Sequence, residues 1–286
     1  MTNELLQGFA QAKKITKKFA KTFYLSSLFL PKDKQNASYA VYAICRLSDE
    51  SVDQLNDFQQ QNQLSQIEQD IASAYTQKPL NNPLLAAFRQ TVNNYNIPKE
   101  YFDELINGMR MDLEIRRYPN FLALKDYCYK VAGVVGLIML KIFGYKDASA
   151  YDYAIKLGIA MQLTNILRDI KEDFARGRIY LPQNEMQQFN ISEFQLANQE
   201  NDQNFKNFIN FQIKRCEELY AQSQNGINLI DNRFCRFVVL TMKEIYAEIL
   251  NVIKKNSYDV FSRRAHVGKF KKLSIVISIL LRGKYR

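Results

Sequence analysis

Proline and glycine are scarce: the 286 residues include 6 Pro and 10 Gly, and residues 183–286 contain no proline. A strand-and-turn fold needs frequent punctuation of that kind, whereas long helices do not, so the composition leans all-α. Histidine is nearly missing too. His266, the single one, sits in a basic C-terminal segment and reads as a surface residue, which excludes a histidine-based acid–base mechanism. The four cysteines, Cys45, Cys128, Cys216 and Cys235, lie far apart without a CxxC pair. That spacing suggests neither a zinc site nor a disulfide framework and fits a reducing cytoplasm. No segment approaches the roughly 20 apolar residues needed to cross a bilayer, and the N-terminal stretch lacks the apolar run of a signal peptide, so a soluble body is expected.

What is present is an ordinary globular mixture, 47% hydrophobic and 24% charged, with a formal charge of +10. That charge would draw in nucleic acid, anionic lipid or a phosphorylated substrate, and does not choose among them. Apolar residues recur at three- and four-residue spacing, as in Leu105, Met109, Leu113 and in Ile155, Ile159, Leu163, Ile166, Ile170, which predicts helices packed on one another. Breaks are expected at 30–33, 78–83, 97–98, 118–120, 144–149 and 175–190. None is a long linker, so residues 1–286 are read as one domain. Near the end, residues 273–281 are apolar or small and lie between two basic clusters. They suit a final core helix, or else a surface-lying membrane anchor.

A carboxylate pattern occurs twice. In Arg46-Leu-Ser-Asp49-Glu50-Ser-Val-Asp53, helical spacing puts Asp49 and Asp53 on one face. In Gln162-Leu-Thr-Asn165-Ile-Leu-Arg168-Asp169-Ile-Lys-Glu172-Asp173, the same spacing links Asn165, Asp169 and Asp173. Like charges one turn apart cost some tenths of a kcal/mol per pair. A solvated helix face would explain one such pair, but both of these follow or sit within apolar runs and therefore look buried, where carboxylates need partners. Oxygen-only ligands point to Mg2+ bridging carboxylates and a substrate phosphate, with Mn2+ as a substitute. Arg46 and Arg168 at the rims offer forked donors for a diphosphate. Drawing electrons onto a bound diphosphate breaks its carbon–oxygen bond to an allylic cation, which some of the 17 Tyr and 19 Phe would shield from water.

With these motifs in view, the sequence resembles the phytoene and squalene synthase family nearly end to end. The pieces are Lys21-Thr-Phe-Tyr-Leu25 before Leu30-Pro31, Tyr42-Ala-Ile-Cys-Arg46 with the first acid stripe, Gly108-Met-Arg-Met-Asp112, Tyr127-Cys-Tyr-Lys-Val-Ala-Gly-Val-Val-Gly136, the second stripe with Arg176-Gly-Arg-Ile-Tyr-Leu-Pro182, and Tyr258-Asp-Val-Phe-Ser-Arg-Arg264. The resemblance implies a single-domain, all-α isoprenoid synthase bundle around a central active-site cavity. It also implies two half-reactions through a cyclopropyl diphosphate. Asp49, Asp53, Asn165, Asp169 and Asp173 look like metal ligands. Phe19, Ala20, Lys21, Thr22, Tyr42, Arg46, Gln162, Arg168, Tyr246 and Arg263 look like substrate contacts, and Tyr129 looks like a residue that orients the intermediate, with a hydrogen-bonded core role as the alternative.

Two departures from the family pattern stand out: Glu50 replaces the second aspartate of the first motif, and Ala20 replaces a hydroxyl-bearing residue. Ser27, small where users of fifteen-carbon substrates often carry Phe, favours geranylgeranyl diphosphate and a phytoene product. The nearest alternatives are a dehydrosqualene synthase and a squalene synthase acting on farnesyl diphosphate, the latter consuming NADPH. A non-enzymatic basic module binding nucleic acid or membrane would rest only on net charge and the patches at 13–21 and 263–272, and would leave buried acid stripes unexplained, so no nucleic acid is expected. The glycines Gly133 and Gly136 lack a preceding strand and the third glycine of a nucleotide loop, so helix packing or contact with the lipid chains is expected of them. The expected location is the cytoplasm, peripheral on the inner face of the membrane if the C-terminal segment is an anchor.

Overall fold

The computed structural model describes residues 2–53, 57–80, 82–283 and 285; side chains at 48–53, 57 and 58 are outside that description. These residues form fifteen α-helices: α1 (Asn3–Phe19), α2 (Lys21–Ser27), α3 (Lys32–Asp53), α4 (Asp57–Ala74), α5 (Pro83–Asn94), α6 (Lys99–Glu114), α7 (Phe121–Cys128), α8 (Val134–Phe143), α9 (Ala150–Arg168), α10 (Ile170–Ala175), α11 (Gln183–Gln188), α12 (Glu193–Ala197), α13 (Gln203–Ser223), α14 (Arg233–Lys255) and α15 (Lys269–Arg282). A π-helical turn (Tyr129–Gly133) joins α7 to α8, and a 3-10 turn (Gln224–Leu229) follows α13. Among the described residues there is no strand, only isolated bridges pairing Arg117 with Ile179 and Tyr145 with Ile230.

Local chemistry sets most boundaries. Asn82 accepts from the Leu84 amide ahead of Pro83, which opens α5 where its missing N–H costs nothing. Asn120, Asp202 and Asn232 cap α7, α13 and α14 in the same way, and Ser192 with Gln195 forms a reciprocal capping box on α12. The expected breaks fall near helix junctions, with 30–33 and 78–83 running into the starts of α3 and α5 and the last, 175–190, containing the short α11.

Two apolar clusters fill the interior. One gathers α1, α3 to α6, α8 and the first half of α14; the other gathers α7, α9 to α13 and the second half of α14. Tyr129 and Ile275 pack against both. Gly136 and Gly158 let α9 approach α8 and the π-helical turn before it: a Cβ at Gly158 would stand 2.3 Å from the Ala132 carbonyl oxygen of that turn, and one at Gly136 in α8 2.4 Å from that of Ala154. The Gly133/Gly136 segment therefore serves helix packing. At the C-terminus, α15 buries Ile279 yet leaves Phe270, Leu273, Ile277, Leu280 and Leu281 exposed, so it is only in part a core helix.

Candidate active site

A cavity of about 740 Å3 runs along α9. Its lining includes Ala150, Tyr153, Ala154, Leu157, Gly158, Met161, Gln162, Asn165 and Arg168, the three- and four-residue progression of one helix face. Nineteen residues at 1.5 Å each make α9 about 28 Å long, so the cavity is a channel of comparable reach. Beside the start of α9 its wall is Leu140, Phe143, Ile227, Ile230 and Val238. Beside the end it is Lys18, Lys21, Thr22, Gln162, Asn165, Arg168, Tyr246 and Arg264. A long apolar sleeve thus opens into a cationic, polar mouth.

The mouth is made where α1 gives way to α2. Ala20 ends one helix and begins the next without a side-chain cap, and Phe19, Ala20, Lys21 and Thr22 all line the cavity. Phe19 lies between two cations, the Lys18 amine at 4.6 Å and the Arg46 guanidinium at 4.6 Å from its ring centre. Thr22 accepts a hydrogen bond from Lys272 of α15 at 2.7 Å. Tyr42 of α3 also lines the cavity, and in the register of that helix positions 46, 49 and 53 continue along the same face. The side chains of Asp49 and Asp53 lie outside those described.

The second acid stripe is not one uninterrupted helix. Asp169 leaves helical geometry (φ −109°, ψ 16°) and separates α9 from α10, although the Asp169 amide still donates to the Asn165 carbonyl at 2.9 Å and the Asp173 amide to the Asp169 carbonyl at 2.8 Å. The i, i+4 succession survives the break. Around it Ile159, Leu163, Ile166, Leu167 and Ile170 are buried, which confirms the apolar setting read from sequence.

Asp169 is gripped from two sides. Arg168 donates to its two carboxylate oxygens at 2.8 and 2.5 Å, and Arg264 donates to the same two at 2.6 and 2.9 Å. Burial pushes the Asp169 carboxyl up, but the two guanidinium forks outweigh it and hold the group below its ordinary range. Arg264 reaches this place because Asp259 accepts from the amides of Phe261 and Ser262 and turns the chain, while the Lys171 amine bonds the Phe261 carbonyl at 2.8 Å. Arg263, the arginine chosen from the sequence, points elsewhere and donates to Asn256 at 2.6 Å. The Asp259 turn puts the second arginine of the pair, not the first, over the acid stripe.

Asp173 has no such clamp. Burial first, then the charge of Asp169, pushes its carboxyl up to about 7, with Arg176 and Arg178 pulling the other way. Close by is a group that the sequence offered only as fragments. Tyr127 and Tyr180 donate to the two oxygens of Asp112 at 3.0 and 2.7 Å, and Tyr118 packs its ring 5.5 and 5.8 Å from theirs. Three of the recognised motifs meet in this buried cluster.

One further expectation is corrected, and Tyr129 takes a place in the core, as its alternative reading had it. Ser27 does not face the cavity: it is fully buried, bonding the Tyr39 hydroxyl at 2.7 Å and the Tyr24 carbonyl at 2.7 Å. Any room left by a small side chain there is taken by Tyr39. Tyr129 begins the π-helical turn and packs in the seam between the two apolar clusters, without lining the cavity. Gln162, Asn165, Arg168 and Tyr246 do line it.

For a metal, the described donors are oxygens. The Asn165 Oδ1 and Glu172 Oε2 atoms are buried without a hydrogen-bond partner, which fits cation ligation and leaves an energetic gap otherwise. Among the described residues no three acidic, His or Cys side chains converge on a single point; the side chains of the first stripe are outside that description.

Comparison with known proteins bears on the same features. Residues 16–271 match the squalene/phytoene synthase family model. The 15-cis-phytoene synthase of Synechococcus elongatus is 37% identical over 98% of this chain and 94% of its own. The phytoene synthase of Arthrospira platensis is 37% identical over 97% and 94%. Among solved structures, a ligand-bound dehydrosqualene synthase superposes with a TM-score of 0.92 at 32% identity, covering 99% of both chains. A squalene synthase from Alicyclobacillus acidocaldarius gives 0.83 at 26% identity over 91% of this chain and 97% of its own. An all-α bundle, a sleeve closed by a cationic mouth, and full-length kinship on both counts leave one assignment: the chain belongs to the squalene/phytoene synthase family.

Proposed function

We propose that this protein, working as a single domain, is a Mg2+-dependent prenyltransferase that condenses two geranylgeranyl diphosphates head to head into phytoene through a cyclopropyl diphosphate, releasing diphosphate. The observation that carries the reading is the channel itself, about 740 Å3 with an apolar end and a mouth of Lys18, Lys21, Arg168 and Arg264. An amphiphile with a long isoprenoid tail and a diphosphate head matches that polarity. The sequence relatives favour the twenty-carbon substrate, being named phytoene synthases, and the dehydrosqualene synthase likeness keeps the fifteen-carbon alternative in the test.

Arg168, Arg264, Lys21 and Thr22 bind and orient the diphosphate by charge-assisted hydrogen bonds. Met139, Leu157 and Val239 keep water from the tail. Asp49, Asp53, Asn165, Asp169 and Asp173 would hold the Mg2+, with Mn2+ as its substitute. When bound, that ion supplies Lewis-acid stabilisation of negative charge on the departing diphosphate. Tyr246, in the wall beside Arg168, has its phenol pushed up by burial and stays neutral, so it can face a carbocation without becoming a nucleophilic phenolate. NADPH is not required for phytoene and would be required for squalene. The expected setting is the cytoplasm, at the inner face of the membrane.

The test is incubation of purified protein with Mg2+ and either geranylgeranyl or farnesyl diphosphate, with and without NADPH, and chromatography of the hydrocarbons. Phytoene from the longer substrate without NADPH is expected. A thirty-carbon product would overturn the substrate, and no product from either would overturn the activity.

A further inference from the structure

Ser27, the small residue that the sequence offers as a measure of substrate length, is engaged by Tyr39, and neither residue lines the cavity. Length must be read elsewhere, and α9 supplies the scale. At a rise of about 1.5 Å per residue, Ala154 stands about 21 Å from Arg168 and Ala150 about 27 Å. An isoprenoid chain advances about 5 Å per five-carbon unit, being four C–C bonds of about 1.5 Å foreshortened by their angles. Allowing about 5 Å for the diphosphate, a fifteen-carbon substrate anchored at Arg168 ends about 20 Å along, close to Ala154, and a twenty-carbon one about 25 Å along, just short of Ala150. The interval between the two alanines matches the fourth unit.

Beyond that interval the sleeve is closed. Phe143, Ala150, Ile227, Ile230 and Val238 line it, yet none is more than 4% exposed, so they form a floor. Three sets of bonds hold this floor in place. Lys34 of α3 donates to the carbonyls of Ile142 and Phe143 at 2.7 and 3.1 Å. The Asp231 amide donates to the Gly144 carbonyl at 3.2 Å and the Lys146 amide to that of Leu229 at 2.8 Å, on either side of the bridge between Tyr145 and Ile230. Lys141 of α8 donates to the hydroxyls of Tyr145 and Tyr151 at 3.1 and 3.0 Å, and these two hydroxyls bond each other, which clasps the start of α9 to the end of α8. A floor tied at so many points does not yield to a longer tail.

We propose that Ala154 sets the length of the tail that lies along α9: its small side chain leaves the bore open past the third isoprene unit, and the tied floor stops the chain after the fourth. Ala154 lines the cavity and is only partly buried, unlike Ala150 one turn earlier, so it borders space that the floor residues do not. Its backbone is fixed, because α8 lies so close that a Cβ on Gly136 would stand 2.4 Å from the Ala154 carbonyl oxygen. A larger side chain at 154 therefore has the bore to enter and ends it one unit short. The inference rests on the proposed reading that the ligand is a prenyl diphosphate.

The experiment is isothermal titration calorimetry of the full chain, with Mg2+, against the unreactive thiolodiphosphate analogues of geranylgeranyl and farnesyl diphosphate. Wild type, Ala154→Val and Ala154→Leu are compared, and circular dichroism and melting confirm their fold; the smaller Ala154→Val carries the test should Ala154→Leu not fold. Ala154→Leu should bind the geranylgeranyl analogue at least tenfold more weakly and keep its affinity for the farnesyl analogue within about twofold, with Ala154→Val in between. In a folded variant, loss of both analogues alike, or of neither, overturns the inference. Binding is scored without turnover, so wild type that makes no hydrocarbon while the variants lose only the longer analogue would sink the proposed reaction and leave the role of Ala154 standing. Phytoene from wild type, with both analogues lost alike in the variants, would do the reverse.

Discussion

Gly158→Ala puts a single methyl group where the π-helical turn (Tyr129–Gly133) and α9 meet. In an exposed helix interior the change would stabilise, since Gly is about 1 kcal/mol worse than Ala. Here the new Cβ would lie 2.3 Å from the Ala132 oxygen and 2.7 Å from its carbonyl carbon. These are backbone atoms that no rotamer can move away, so the helices must separate by roughly 1 Å to restore an ordinary contact. Overpacking of that kind costs about 1–3 kcal/mol or more, which exceeds the propensity gain and leaves a net loss of about 1–2 kcal/mol. For a chain of 286 residues that lowers Tm by roughly 2–3 °C. Ala132 and Gly158 both belong to the cavity wall, so kcat/KM should fall about tenfold alongside. Differential scanning fluorimetry and steady-state kinetics provide the readout. Gly268→Ala is the comparison, because a Cβ there would meet nothing within 4 Å. A Gly158→Ala protein as stable as wild type would refute the close-approach argument.

Asp169→Asn removes the partner of two guanidinium groups. We expect a loss of about 2–4 kcal/mol, below the full cost of breaking a buried pair because the Arg264 side chain is 53% exposed, and a drop in turnover of several orders of magnitude. Urea unfolding and single-turnover kinetics measure the two, and near-wild-type turnover would dismiss its role. Asp173, whose carboxyl sits at about 7 against an ordinary 3.8, stabilises the metal-free fold fully below the ordinary value and loses that contribution as pH rises through about 7. Metal-free Tm should therefore fall between about pH 4 and pH 7, and Asp173→Asn should flatten the slope; an unchanged slope in the variant would exclude this source. Ser27→Phe should cost about 1–3 kcal/mol by displacing Tyr39 and leave the product ratio of the folded fraction unchanged, since neither Ser27 nor Tyr39 lines the cavity. A rise in the thirty-carbon share of product would return position 27 to substrate choice.

Helix identity and most boundaries were legible because caps, prolines and apolar spacing act locally. The break at Asp169 was not, since the i, i+4 pattern of carboxylates and apolar residues runs straight through it and neither Gly nor Pro marks it. The acid stripe and its arginine rim could be read from spacing. Which of two adjacent arginines reaches Asp169 could not, because that depends on a turn at Asp259 and on Lys171 bonding a carbonyl ninety residues away in sequence. Asp112 was visible as a motif end, but its phenol partners arrive from 15 and 68 residues away, a distance at which composition and periodicity are silent. Ser27 was read by size alone, and the structure gives its space to a neighbour that size does not reveal.

The double grip on Asp169 has a consequence for which anions the protein will admit. Both carboxylate oxygens already receive two guanidinium bonds, supplied within the chain and free of the entropy loss that an incoming ligand suffers on association. Inorganic phosphate and singly charged metabolites must outcompete that internal counter-ion and have little to offer in return. A diphosphate arriving with its own cations can satisfy the displaced carboxylate and the released arginines together. At rest the mouth thus holds an internal counter-ion on two of its arginines, and their remaining N–H donors are what a small anion meets first.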